Sequence, residues 1–250
     1  MKNDTREAVL MIADISGYTK FMIANQTALG HGQFVITELM KTVLKEAKLP
    51  LMISKLEGDA VFLFLETSDE KQGKTAKTEY LLTKMNRMVS LFHSKIAELI
   101  ASNLCPCGAC QHIDRLRLKI IVHRGQALFY RIDRFTELSG SDVILVHRLL
   151  KNSLPQEEYI LLSEAAFKEF ALPPGTMVTE GQESYESFPT IKTYSFVPKR
   201  IDVSAHEKAT PSGVVVWIGH QLKLLSVRLK AWGLVKPKPF RNLASKLETD

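Results

Sequence analysis

The stretch Met11–Met22, MIADISGYTKFM, decides how this chain is read. With Val9 and Leu10 before it, an apolar run reaches Ala13 and is stopped by one carboxylate, Asp14. Ser16 and Gly17 then turn the chain, and a helical pattern begins at about Thr19. Consecutive apolar residues bounded by a glycine turn predict a buried strand. An ionised group that leaves water needs a partner, so a carboxylate at that strand's end asks for one. A divalent cation is one answer, since Mg²⁺ is held by one or two carboxylates plus substrate phosphates. The free amides that follow Gly17, from Tyr18 and Thr19 to Phe21, suit a phosphate at a helix start. The competing reading makes Asp14 a helix cap, a task Ser16 and Thr19 could share.

Farther along, strand and helix patterns alternate. Thr19 to about Ala47 reads as largely helical, with an interruption at Leu29–Gly32, where two glycines disfavour a continuous helix. LPLMISKLEG and DAVFLFLE read as strands joined at Gly58–Asp59, a hairpin signal. KTEYLLTKMNRMVSLFHSKIAELIAS is a long amphipathic helix. LRLKIIVH and GQALFYRI read as another hairpin, divided at Arg124 and Gly125. SDVILVHRLLKN and EAAFKEF read as helices around the strand EYILLS, and IKTYSFVP closes the domain near Pro198. This order predicts an α+β sandwich of the ferredoxin-like, split β-α-β type, with helices on one face of the sheet. Asp59, at the hairpin turn, is a second carboxylate set into apolar context.

A hydrophobic content of 45% and a charged content of 24% are ordinary for a globular protein with a full core. The N-terminus carries no secretory pattern, and no run approaches the roughly 18–20 apolar residues of a membrane span, so a cytoplasmic location is expected. The net charge of +6 is uneven. Residues 214–250 hold seven Lys/Arg against Glu248 and Asp250, so +5 of the +6 belongs to the tail. The expected division is a main domain over 1–200, a linker over 201–213, and a basic amphipathic helix and tail over 214–250.

ADISGYTKF, KLEGDAVF, VHRG and GSDVILVHRLL, in that order, resemble the catalytic domain of class III adenylate and guanylate cyclases, closest to a divergent bacterial branch. The resemblance runs from about residue 7 to 197. It implies that Asp14 and Asp59, with the Ile15 carbonyl, bind two Mg²⁺ or Mn²⁺ ions, and that Gly17, Tyr18, Thr19 and Phe21 cradle a triphosphate. It implies that Lys55 and Glu137 face adenine, and that Arg148 neutralises charge in the transition state. A lysine only donates, which suits an adenine ring nitrogen better than the N–H edge of guanine. The metal pair and the purine and arginine groups come from different subunits in such enzymes, so a homodimer is implied. Two departures stand out. Ile144 replaces an asparagine that orients the ribose, and YESFPT, ahead of IKTYSF, lacks an expected lysine. Each missing transition-state donor costs roughly 10²–10³ in rate. An adenylate cyclase of reduced activity and a non-catalytic nucleotide- or metal-binding dimer module are therefore both open.

All three cysteines fall in the loop 103–113, as CPCGACQH. Cys105, Cys107, Cys110 and His112 could form a Cys₃His structural zinc site, though the spacing is tighter than paired C-x₂-C knuckles. Three reduced thiols are the alternative. In the tail, Val215, Ile218, Leu222, Leu225, Leu229 and Trp232 recur at helical spacing. That stripe could pack on the protein's own sheet or a dimer mate. Residues 214–241 could instead lie on an anionic inner-membrane surface. Nucleic acid fits least, because the charge is modest and no recognition motif is present.

Overall fold

The computed structural model describes residues 4–25, 29–67, 74–102, 108–132 and 135–201. The sheet is built around β1 (Asp4–Ser16). Its side chains alternate, and both rows are buried. Val9, Met11, Ala13 and Ile15 face one core, while Ala8, Leu10 and Ile12 face another. Burial on both faces is why the run reads as continuously apolar. β3 (Ala60–Glu66) flanks it on one side and β4 (Arg117–Ile132) on the other, both antiparallel. The full order is β2-β3-β1-β4-β6-β8-β7, with β2 at Met52–Glu57, β6 at Ile160–Ser163, β7 at Thr179–Glu183 and β8 at Ile191–Phe196. β5 (Phe135–Ser139) folds back on the end of β4. Among the described strands, only β4 and β6 run parallel.

Helices cover both faces, not the single face expected. α2 (Leu29–Glu46) and α3 (Lys74–Ala101) bury Val35, Leu39, Leu81, Met88 and Phe92 on the first face. α5 (Ser141–Leu149) lies on the second face, with Val143, Val146 and Leu149 against Leu10, Ile12 and Phe62. The short α4 (Gly108–Gln111) and α6 (Glu164–Phe167), with a 3₁₀ turn at Ile113–Arg115, complete the helices among the described residues. The expected tail helix and linker lie outside those residues, as do Cys105 and Cys107.

Two local expectations are corrected. The helical segment does not break at its glycines. α1 (Tyr18–Ala24) ends at Asn25, whose Nδ2 donates to the Phe21 carbonyl at 2.6 Å, and Gly30 and Gly32 lie inside α2. A Cβ at Gly32 would sit 3.3 Å from Met22 Sδ, so this glycine lets α1 lie close against α2.

Nor is there a hairpin at Arg124 and Gly125. β4 runs unbroken for 16 residues, and Gly125 pairs with Ala8 in mid-strand. The glycine is required by α5. A Cβ there would fall 2.2 Å from the Asp142 Cγ. Asp142 is held in place, because Oδ2 accepts the Gln126 amide at 2.7 Å and Oδ1 lies 3.1 Å from His123 Nε2. The other ring nitrogen of buried His123 lies 2.7 Å from Ser163 Oγ, which also caps α6 by accepting the Ala166 amide. Burial holds the His123 pKa below its ordinary value, with Asp142 opposing, so the ring serves as a neutral bridge between β4, α5 and β6. Gly125→Ala forces Asp142 out of this network. The expected cost is about 1–3 kcal/mol of stability, read as a lower urea midpoint at unchanged slope.

Candidate functional site

Asp14 belongs to the row Ala8, Leu10, Ile12, and it occupies the place where that row reaches the end of β1. Asp59 reaches the same place from the next strand. Glu57 pairs with Ala60, leaving a two-residue turn of Gly58 and Asp59. Gly58 sits at φ +71 in the first central position, which a II′-type hairpin reserves for glycine. Asp14 pairs with Ala60, and the Ile15 amide donates to the Asp59 carbonyl at 3.2 Å. Register and this hydrogen bond fix the two aspartates side by side. Each carboxylate thus stands within the other's field.

The electrostatics follow. The Asp59 pKa is pushed up to about 6, first by burial and then by the charge on Asp14. Lys119 opposes the shift from β4, where it pairs with Asp14 in register. Its Nζ lies 3.0 Å from Asp14 Oδ2 and 3.4 Å from the Leu150 carbonyl at the end of α5. One ammonium therefore serves two carboxylates. Glu157 adds a third acid to the wall of a cavity of about 270 Å³, which Ile15, Gly17, Tyr18, Thr19 and Lys20 also line. Oxygen donors of this kind suit a hard divalent ion. Among the described residues no group of three His, Cys, Asp or Glu is arranged around a common metal position, so a cation here would take its remaining ligands from backbone, water or substrate.

Helix capping does not explain Asp14. Gly17 is the N-cap of α1 at φ +85, and no side chain caps that helix. The Phe21 amide returns to the Gly17 carbonyl at 2.9 Å, so the turn closes on itself.

The remaining candidates are not brought to this cavity. Lys55 lies on β2 and pairs with Glu57 at 3.2 Å, not with Glu137; Glu57 in turn contacts His147 of α5 at 3.2 Å. Glu137 lies on β5 opposite Tyr130. Arg148 is exposed on α5, one turn beyond Ile144, and its guanidinium has no partner among the described residues. None of the three lines the Asp14–Asp59 cavity. In the cysteine loop, Cys110 is buried with Sγ 3.2 Å from His31 Nε2, while His112 lines a separate cavity.

Lys119 escaped the sequence reading. The available signal was a lysine inside the apolar run of LRLKIIVH, but its meaning depends on the β1–β4 register, which brings it level with Asp14.

The fold matches known proteins. The model of a family described as Protein of unknown function (DUF2652) matches residues 36–159. An uncharacterized protein of Mycobacterium tuberculosis, Rv2561/Rv2562, is 31% identical over 129 residues, spanning 52% of this chain and 57% of its own length. The chain thus spans little more than half of that relative. Among solved structures, the adenylyl cyclase CyaB from Pseudomonas aeruginosa superposes with a TM-score of 0.53 at 18% identity, covering 81% of this chain and 100% of that one. A class III adenylyl cyclase-like ATP-binding protein from Pseudomonas aeruginosa gives 0.54 at 15% identity, covering 68% of this chain and 36% of that one. The chain has the fold of class III adenylyl and guanylyl cyclase catalytic domains. Among the described residues no helix is long and apolar enough to cross a membrane.

A cation on this pair needs both carboxylates ionised. With Asp59 pushed up to about 6, Mn²⁺ affinity should be flat at higher pH and fall about tenfold per unit below 6, as read by EPR titration. Lys119→Met removes a competing charge 3.0 Å from Asp14 and should tighten Mn²⁺ binding several-fold in the same titration.

Proposed function

We propose that the chain is a divergent class III nucleotidyl cyclase that converts metal-ATP to cyclic AMP and pyrophosphate at the interface of a homodimer. The carrying observation is the like-charged pair Asp14 and Asp59 at one sheet end, held together by register and only partly neutralised by Lys119. Two acids set this close call for a shared cation. Mg²⁺ or Mn²⁺ bound there would neutralise charge on the attacking and leaving oxygens. Asp14, Asp59 and the Ile15 carbonyl would hold it. In the reaction, the ribose 3′-oxygen bonds to the α-phosphorus, the bond from that phosphorus to the β-phosphate oxygen breaks, and the 3′-hydroxyl proton is lost to solvent. Lys119, already turned to this cavity, would move from Asp14 toward the phosphates. Gly17, Tyr18 and Thr19, which line the cavity, would border them; Phe21 does not, its amide being held by the Gly17 carbonyl.

The distribution of the other groups favours a dimer. Lys55, Glu137 and Arg148 do not reach the aspartates of their own chain, so a complete site needs them from a second copy. In a twofold assembly the arrangement yields two equivalent sites. Arg148, exposed and with no side-chain partner among the described residues, would be the group to reach across. Lys55 would first have to leave Glu57.

Ile144 favours a second reading. It is 53% exposed on the same face of α5 as Arg148 and can neither donate nor accept a hydrogen bond. A module that binds nucleotide without turning it over fits that residue, and one protein of related fold is described as a cyclase-like ATP-binding protein. Cyclic-nucleotide assay with Mn²⁺ and either ATP or GTP separates the two. The cyclase reading expects cyclic AMP from ATP at a low rate, at least about 100-fold lower in Asp14→Ala and Asp59→Ala. ATP binding without product leaves the module.

A further inference from the structure

A second cavity, of about 600 Å³, opens on the other side of the Gly17 turn. It shares Gly17, Lys20 and Glu157 with the aspartate cavity, so the two adjoin. Its volume lies in the range of sites that take small ligands. The walls carry three permanent cations, Lys20, Arg115 and Arg117, together with His112. Asp114 and Glu157 are the acids on the same walls.

The cations are not used up by the fold. Arg117 donates through Nη1 to the carbonyls of Asp114 and Leu116, which orients its guanidinium without supplying a negative charge. The side chains of Lys20 and Arg115 make no hydrogen bond or ion pair among the described residues. Neither Asp114 nor Glu157 is bridged to a cation there, so the acids line the cavity without closing it. Unspent guanidinium and ammonium groups around one concavity match a phosphate oxyanion, which arginine binds through paired N–H donors.

We propose that this cavity is a site for a phosphoanhydride anion, held by Lys20, Arg115 and Arg117. The choice of ligand rests on the cyclase reading, which releases pyrophosphate next door. The site would draw that product, or the terminal phosphates of the nucleotide, away from the carboxylates. It would also supply from one chain some of the positive charge that YESFPT lacks. The two acids keep the net charge small, which suits an anion that must be let go.

The test uses the full chain in EDTA, so that no divalent ion bridges anion and aspartates. Inorganic pyrophosphate and ATP are titrated separately by calorimetry. Pyrophosphate should bind once per chain and weaken with added salt. Lys20→Glu with Arg115→Glu should weaken it at least about tenfold, with the milder Arg115→Ala smaller but in the same direction. Asp14→Ala, which removes a negative charge from the adjoining cavity, should not weaken it, and the remote pair Lys41→Glu with Lys168→Glu should leave it within about twofold, since charge alone acts weakly at a distance. If ATP follows the same pattern, the site takes terminal phosphates; if only pyrophosphate does, it serves the product. The proposal is overturned by absence of pyrophosphate binding, by equal loss in the remote pair, by indifference to both Arg115 variants, or by loss in Asp14→Ala. These outcomes do not depend on turnover. Pyrophosphate binding without cyclic AMP removes the cyclase and keeps the site, and the converse removes only the site.

Discussion

Two carboxylates at one end of a sheet repel, and much of this molecule is arranged so that they stay together. The β1–β3 register sets Asp14 level with Ala60, and the Gly58 turn brings Asp59 beside it. The Ile15 amide ties the turn to β1. Partly withdrawn from water and with Lys119 as the ammonium between them among the described residues, the pair has the Asp59 pKa pushed up to about 6. The cost of keeping two such groups near each other is hard to account for by folding alone. The proposed cation would account for it.

The second face of the sheet adds a different constraint. α5 lies there because Gly125 leaves room for Asp142, and His123 and Gln126 hold that carboxylate. The helix thereby presents Ile144 and Arg148 outward, while its far end, at Leu150, meets the same Lys119 that neutralises Asp14. One side chain thus touches both the acidic pair and the helix that bears the exposed arginine. Any ligand that pulls Lys119 from Asp14 also alters a contact at the end of α5.

How much of this was legible in the sequence depended on range. β1 could be read because both of its faces are buried, which leaves an unbroken apolar run up to Asp14. The β2–β3 turn could be read because a II′-type turn needs its glycine. Gly125 was misread for the opposite reason. It meets a side chain 17 residues away, and nothing local separates that from a turn glycine. Gly32 misled in the same way, since it serves helix packing against Met22. Lys119 looked like an ordinary strand lysine until register set it opposite Asp14. Lys55, which the family resemblance sets at a purine edge, pairs with Glu57 in the folded chain. Local chemistry gives the strand ends; partners across the sheet come only with the fold.

Crystals grown with Mn²⁺ and a non-hydrolysable ATP analogue give the most direct measurement of the central idea. An anomalous manganese peak about 2.0–2.3 Å from carboxylate oxygens of both Asp14 and Asp59 is the expected result, with Lys119 displaced toward the phosphates. Manganese found elsewhere, or an undisturbed Lys119–Asp14 contact beside an empty aspartate pair, would contradict it.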